Sequence, residues 1–533
     1  MSHIFIPWTL LWVVFSPSVN ANNGDVVVDR LIHGPSKLHV EFITTGFFGF
    51  EGHEPVSLSY NAPAIMTGVQ RLRDLYPEHH WTWTFIWDTQ NQLSCPLMPD
   101  HVYFMLAQYY YSRRISNRLS IVVAPACFEG IPMNDFAGVE DVLLITSASV
   151  ETVIRNRQRS PTWLSTTPFA YSNVVFCSLL NALNWTTVFV GLDSQDRMYH
   201  LYIFHVVTGE LTGCGVQFTA ATVACSEEAS VVSSLREFHA KSRVFLYFGQ
   251  PPGFRSLLMV AARLGMIDGD HVFLAVVPWA SPAYGFFTWQ MNREDDEKVK
   301  RAYRSVLLLT MVDEEQYALP SVRLLSQEWA NISRTVYNNT ELTSDLPLPV
   351  MAATHAAVEL AGTAVVEALA RNVSFTNGNN GRVLAESILN RTRDLQVGQW
   401  RMGSTGVVVH GVQLSSLDWE TGQLKAFMKA LETDATFVWK RTDPHQTIWH
   451  GRADLPPAVP LCGLDGAACF SRNGSNDSVV GGSVAVICAL AVLIGALLAR
   501  ISRIWIRSAV WWSLESDILI MGSRKSQSRA SRV

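Results

Sequence analysis

Twenty-one consecutive residues, Val479 to Ala499, carry no charge. A helix of that length, at 1.5 Å per residue, crosses the ~30 Å hydrocarbon layer of a bilayer, where a single segment can satisfy its backbone only as a helix. Arg500, Arg503 and Arg507 follow at once, then Arg524, Lys525, Arg529 and Arg532, against only Glu515 and Asp517. Positive flanks stay cytoplasmic, so the expected arrangement is a short internal tail and a large external part. Met1 to Phe15 is apolar and uncharged apart from His3, and Val19-Asn20-Ala21 fits a small-residue cleavage site. Residues 1–21 therefore read as a signal peptide, with a first membrane helix as the alternative. The expected whole is a type I single-pass protein of the plasma membrane.

Seven N-x-S/T triplets begin at Asn184, Asn331, Asn338, Asn372, Asn390, Asn473 and Asn476, all ahead of Val479. That distribution suits a glycosylated external domain. The formal net charge is −5, and no long basic run precedes the membrane segment, which gives no reason to propose a nucleic-acid partner. The 435 residues from Asn22 to Pro456 are enough for two or three ordinary domains.

Apart from Cys488 in the membrane segment, seven cysteines would meet an oxidising lumen. Cys462 and Cys469 enclose a six-residue loop and are expected to pair. Cys95 and Cys127 fit a bridge across one helix and one strand. Among Cys177, Cys214 and Cys225 one is left over, and Cys214 with Cys225 is the expected pair. Zinc is the rival reading, but no C-x-x-C pair with spaced histidines occurs, so no metal and no cofactor are expected.

Short apolar runs alternate with helical spacing. Strands are expected at Leu38–Thr44, Trp81–Trp87, Leu119–Ala124, Thr186–Gly191, Val244–Phe248 and Val272–Val277. Helices are expected at Ala62–Tyr76, Asp100–Ile115, Ser172–Asn184, Ser230–Lys241 and Arg255–Gly265. Such alternation argues for parallel sheets with helices on both faces, and ligand sites beyond the carboxyl ends of their strands. Val350–Arg371 is apolar nearly all round and reads as a buried helix rather than a second span. Trp289–Arg301 reads as a charged surface connection, and residues 456–478, rich in Pro, Gly, Ser and Asn, as a stalk.

No catalytic constellation emerges. Glu51-Gly52-His53-Glu54 and Glu78-His79-His80 lack the i, i+4 histidine pair of a helical zinc site. Ser165 has no nearby base, and no G-x-S-x-G elbow occurs. Asp295-Asp296-Glu297 reads as a solvated charge run. Trp81, Trp83, Phe85 and Trp87 alternate with period two, which puts them on one strand face as core, with a ligand contact as the lesser reading.

Ser160-Pro161-Thr162-Trp163-Leu164-Ser165-Thr166-Thr167-Pro168-Phe169, followed by Asn184-Trp185-Thr186-Thr187-Val188, resembles the centre of the ligand-binding ectodomain of receptor guanylate cyclases and natriuretic peptide receptors. Other matches follow in order: Arg71-Leu72-Arg73-Asp74-Leu75-Tyr76-Pro77, Ala124-Pro125-Ala126-Cys127, Ala302-Tyr303-Arg304-Ser305-Val306-Leu307 (similar to a first-lobe strand), Thr405-Gly406-Val407, and Cys462 to Cys469. The likeness is strongest to the large invertebrate, especially nematode, set.

The resemblance implies an α/β, two-lobed type I periplasmic-binding-protein-like ectodomain over residues 36–455, plus one transmembrane helix at 479–499. Lobe 1 would hold about 36–167 and 280–398, and lobe 2 about 168–279 and 399–455. It implies an extracellular ligand, peptide or small molecule, bound in the cleft or at a homodimer interface. Thr166, Thr167, Phe169 and Tyr171 become cleft candidates, because hydroxyls beside aromatics suit ligand orientation. Three departures stand out. No cysteine lies near Arg197–Leu201. The helix after Cys127 looks shortened to Phe128–Pro132. The turn that helps hold a chloride ion in relatives opens here on Ala124, so that site is not carried over. Residues 500–533 resemble the start of a kinase-homology region. The expected protein is thus a receptor-type cyclase without its catalytic half and no enzyme as given, or alternatively a clearance or decoy receptor.

Overall fold

The strand–helix alternation folds into two sheets, each covered by helices on both faces. The computed structural model describes residues 37–465 apart from short segments (49–55, 89–94, 113–117, 169–171, 195–197, 278–284, 340–345, 376–378, 434–435, 443–448 and a few single positions), together with Cys469 and residues 490–504. The chain forms two units, Met1–Pro460 and Leu461–Val533. The signal segment 1–21, residues 479–489 and the tail beyond 504 lie outside the described residues.

The first lobe runs β1 (His39–Thr45), α1 (Leu58–Leu75), β2 (His80–Ile86), α2 (Met98–Ser112), β3 (Arg118–Ala124), α3 (Gly130–Val139), β4 (Leu143–Thr146) and β5 (Trp163–Ser165). Its sheet has the order β2-β1-β3-β4-β5, all parallel. Alternation along β1 sends Val40 and Phe42 into one core and Ile43 into the other, which is why the strand reads as a continuous apolar run.

The second lobe begins with α4 (Ser172–Ala182), β6 (Thr187–Asp193), α5 (Met198–Leu211), β7 (Gln217–Val223), α6 (Glu228–Lys241), β8 (Val244–Phe248), α7 (Pro251–Arg263), β9 (Val272–Val277), α8 (Asp296–Ala302) and β10 (Val306–Thr310). The chain then returns to lobe 1 with α9 (Glu314–Tyr317), α10 (Pro320–Thr335), α11 (Leu348–Ala370), α12 (Gly381–Ile388) and the ribbon of β11 (Thr392–Leu395) and β12 (Gly398–Arg401). It ends in lobe 2 with β13 (Gly411–Leu417), β14 (Leu424–Glu432) and β15 (Phe437–Arg441). The second sheet has the order β15-β14-β13-β10-β9-β8-β6-β7.

Helix α11 is the central beam of lobe 1. Among the described residues it is the one helix long and apolar enough to cross a membrane, and 89% of its most apolar window is buried inside the lobe. A Cβ on Gly362 would collide with Leu72, so glycine permits the close approach of α1 and α11. Pro63 inside α1 leaves the Ser59 carbonyl without its helical donor, and Ser333 Oγ of α10 supplies one at 2.6 Å. In the second unit, residues 490–504 form a helix with Leu490, Val492, Leu493, Ile494, Leu497 and Leu498 exposed; it continues past Arg500 and Arg503.

Four expectations need correction. The stretch containing Val306 and Leu307 is not a first-lobe strand: β10 pairs in parallel with β9 and antiparallel with β13. Its side chains alternate between the two cores of lobe 2, Leu307 and Leu309 on one face, Val306 and Leu308 on the other. The return to lobe 1 therefore falls after Met311, not near Pro278, and lobe 1 does not hold 280–310. The helix after Cys127 is a full ten residues, because Met133, Phe136 and Ala137 are buried and Pro132 falls in the first turn, where its missing N–H costs no bond. Asp295 and Asp296 are not merely solvated: Arg255 meets them at 2.6 and 2.7 Å, and α8 lies within the charged connection.

The last correction concerns cysteines. The bridges among the described residues are Cys95–Cys127, Cys177–Cys214 and Cys462–Cys469, and the buried Cys225 belongs to none of them, so Cys214 and Cys225 are not partners. The sheet separates them: Cys214 packs with α4 and α5 on one face, whereas Cys225 is in the core on the other. Packing of α4 on α5 brings the Cys177 and Cys214 Cα atoms to 5.8 Å, within disulfide range. Peptide mapping of the unreduced ectodomain should recover a 177–214 link, with Cys225 alkylated only after unfolding. The 37-residue separation predicts a loss of ~3–4 kcal/mol on Cys177→Ser. A 214–225 peptide would refute the pairing.

Candidate functional site

β5 and β10 both leave their sheets at the carboxyl end and run into the connections between lobes. The carboxyl edges of the two parallel arrays thus lie toward the crossovers, where an open α/β sheet offers ligand sites. The first and third crossovers are bonded to each other. Ser165 N donates to Gly406 O at 2.8 Å, and Val408 N donates to Ser165 O at 3.0 Å.

Thr166 and Thr167 lie in this joint and are fully buried. Thr166 Oγ1 donates to Ala353 O of α11 at 2.8 Å, anchoring the crossover to lobe 1. The Thr167 carbonyl accepts from His410 Nε2 at 2.8 Å. These two residues hold the joint together. Phe169 and Tyr171 lie outside the described residues.

A polar chain missed in the sequence spans the joint. His410 Nδ1 sits 2.7 Å from Glu432 Oε2 at the end of β14, and Glu432 Oε1 accepts from Arg155 of lobe 1 at 2.7 Å. Nε2 of His410 faces a carbonyl, which only accepts, so that nitrogen carries a proton. Burial by itself would raise the Glu432 carboxyl, but the His410 hydrogen bond and the charges of His410 and Arg155 outweigh it and hold the group below its ordinary value. Arg155, His410 and Glu432 are 255 to 277 residues apart in pairs involving Arg155, and no local spacing announces their meeting.

Beside this chain lies a recess of about 230 Å³. Val407 and Val409 form apolar wall, and Asn390, Arg401, Thr405 and Glu432 supply polar groups.

A second cluster lies at the start of α3. Backbone N–H groups of Cys127 and Phe128 donate to Glu129 Oε2 at 2.8 and 3.0 Å. The turn that resembles an anion-holding element is therefore occupied by the chain's own carboxylate. Glu151 accepts from Ser149 Oγ at 2.9 Å and from the Ile131 N–H at the first turn of α3. Burial pushes Glu129 up to about 7, against its backbone hydrogen bonds. Burial, aided by the Glu129 charge, pushes Glu151 up to about 7 as well.

Trp81 and Phe85 are in the lobe 1 core, with Trp83 and Trp87 packed against it. The Glu51–Glu54 run, Asn473 and Asn476 lie outside the described residues. Asn184, Asn331, Asn338, Asn372 and Asn390 are all exposed. Among the described residues, no group of three or more His, Cys, Asp or Glu is arranged to hold a metal ion.

Two α/β lobes built on largely parallel sheets and joined by three crossovers define a type I periplasmic-binding-like fold. Residues 103–417 match the receptor family ligand binding region, and the chain belongs to that family. The matched region is one that binds rather than catalyses. Among curated proteins, the atrial natriuretic peptide receptor 3 of Homo sapiens is 21% identical over 200 residues, 36% of each chain. The protein of the same name from Bos taurus is 20% identical over 196 residues, again 36% of each. The chain thus matches these relatives over about a third of their length.

Proposed function

We propose that this protein is a single-pass cell-surface receptor whose ectodomain takes an extracellular ligand between its lobes. Ligand binding changes the angle between the lobes, and the change passes as a rearrangement of two protomers through the membrane segment of residues 479–499. The observation that carries this reading is the joint itself. Arg155 of lobe 1, Glu432 of lobe 2 and His410 and Thr167 of two crossovers meet in one largely buried chain, so a change in the angle between the lobes acts on these bonds. Such a joint favours discrete states over continuous bending, and a ligand with unequal affinity for those states shifts their populations. The similarity to natriuretic peptide receptors makes peptide hormones the first ligands to try.

The test uses the full chain in lipid nanodiscs. A cognate peptide at a hundredfold excess over its Kd should raise the unfolding free energy by ~2.7 kcal/mol and change the distance between spin labels on the two lobes. Protease added to intact cells should reach residues 37–460. Protection of that region from external protease would sink the receptor reading.

A further inference from the structure

We propose that Asn390 carries an N-linked glycan whose first N-acetylhexosamine seats in the recess beside the crossovers, where it braces the joint between the lobes. The proposal rests on the reading of this region as extracellular.

Asn390-Arg391-Thr392 is a threonine sequon with no proline at its middle position. Asn390 is exposed at the turn between α12 and β11, with φ of 56°. The left-handed turn accounts for an asparagine there, since Asn tolerates that conformation better than most residues. It does not account for the exposed Thr392 two positions on. It also does not account for a cavity against the asparagine. Among the five described sequon asparagines, Asn390 is the one on the wall of the recess.

The recess suits one sugar ring. Its volume of about 230 Å³ falls below the ~300 Å³ at which sites for drug-sized ligands begin. Val407 and Val409 offer an apolar surface to a pyranose face. The hydroxyls of Ser404, Thr405 and Thr433 and the Arg401 guanidinium can meet sugar hydroxyls and the acetamido group. Asn390 and Arg401 belong to the lobe 1 return, 403–409 to the third crossover, and Thr433 follows β14 of lobe 2. A sugar held here touches all three, and its neighbour Glu432 is a member of the interlobe chain.

The covalent step needs a lipid-linked oligosaccharide diphosphate as donor. The Asn390 side-chain nitrogen forms a bond to the anomeric carbon, the bond from that carbon to the diphosphate oxygen breaks, the lipid diphosphate leaves with the electron pair, and the amide nitrogen gives up one proton to the departing diphosphate.

The full chain, expressed in animal cells, tests the proposal by glycopeptide mapping and by timed deglycosylation of the native protein. Asn390 should be occupied. Its glycan should be released about tenfold more slowly than those at Asn338 or Asn372, the factor that ~1.4 kcal/mol of seating contacts would give. Asn390→Gln and Thr392→Ala should both speed proteolysis of the 402–411 crossover, and Thr392→Ser, which keeps the sequon, should not. Occupancy at other sites with Asn390 bare would overturn the seat alone. Equal release rates, or unchanged proteolysis in both variants, would overturn it as well. A bare protein at every sequon would overturn both this proposal and the extracellular reading.

Discussion

Glu432→Ala is expected to destabilise the ectodomain by ~3 kcal/mol, at the lower end of the range for removing one partner of a buried ion pair. The lower end applies because the Arg155 side chain keeps 21% of its surface in solvent, against 10% for Glu432. The substitution removes a carboxylate against which a guanidinium and an imidazole are both set. Because those groups come from lobe 1, lobe 2 and a crossover, the loss should also broaden the distribution of interlobe distances, which a pair of spin labels reads directly. Glu432→Gln keeps the shape and removes the charge, so it separates packing from electrostatics. The acid limb gives a further check. A carboxyl held below its ordinary value contributes stability above the ordinary carboxylate range and loses it as pH falls through the folded value. The Gln variant should therefore lose part of the acid sensitivity of the native protein. An unchanged unfolding midpoint together with an unchanged distance distribution would remove the latch role of this chain.

Acidification should act in the opposite sense through the two glutamates at α3. Glu129 is 2% exposed, and its carboxyl is raised from 4.5 to about 7. Between those values the folded protein binds more protons than the unfolded chain, so stability falls as pH rises. The contribution is fully present below about 4.5 and lost by about 7. At ~1.36 kcal/mol per pH unit this is ~3 kcal/mol for Glu129. Glu151 shares the effect, and the two titrate as a pair. Burial lowers His355 from 6.5 to about 4, so that buried imidazole acts in the opposite sense over the same range, and the glutamate effect is read as the difference in melting temperature between the wild type and a Glu129 variant at pH 5 and pH 7.5. Glu129→Gln keeps an oxygen for the Cys127 and Phe128 amides and removes the charge, so it should stabilise the protein at pH 7.5 and flatten the slope. A difference between the wild type and Glu129→Gln that stays constant from pH 5 to pH 7.5 would contradict the assignment. A receptor moving from the cell surface to an acidic compartment would gain stability in lobe 1 from this pair.

Strands such as Val244–Phe248 and Val272–Val277 were legible in the sequence, residue for residue. Both are buried on both faces, and a parallel strand under two helical layers has to read as an unbroken apolar run. Helix α11 was legible for the related reason that a helix buried all round needs apolar residues all round. The helix after Cys127 was not. Gly130, Pro132, Asn134 and Gly138 are poor helix formers, and burial of Met133 and Phe136 overrides them.

Partner choice was the other illegible layer. β10 has the composition of a strand in either lobe, and its place follows from side chains that complete two lobe 2 cores at once. Cys214 is near Cys225 in sequence and across a sheet from it in space. The motif put Thr166 and Thr167 at a crossover as cleft candidates, and their hydroxyl and carbonyl are committed to Ala353 and His410. The residues that govern the joint, Arg155, His410 and Glu432, carried no local signal.

By itself the sequence determined the class of architecture, since period and burial are local properties of a chain that must cover both faces of a sheet. It also marked the uncharged segment Val479–Ala499, because length and lack of charge suffice for that expectation. The lobe to which β10 belongs, the Cys177–Cys214 bridge, the carboxylate inside the Cys127 turn and the chain that joins the lobes were decided only by tertiary structure. Each depends on which groups far apart in the chain come within a few ångströms, and hydrogen bonds, ion pairs and disulfides form only at that distance.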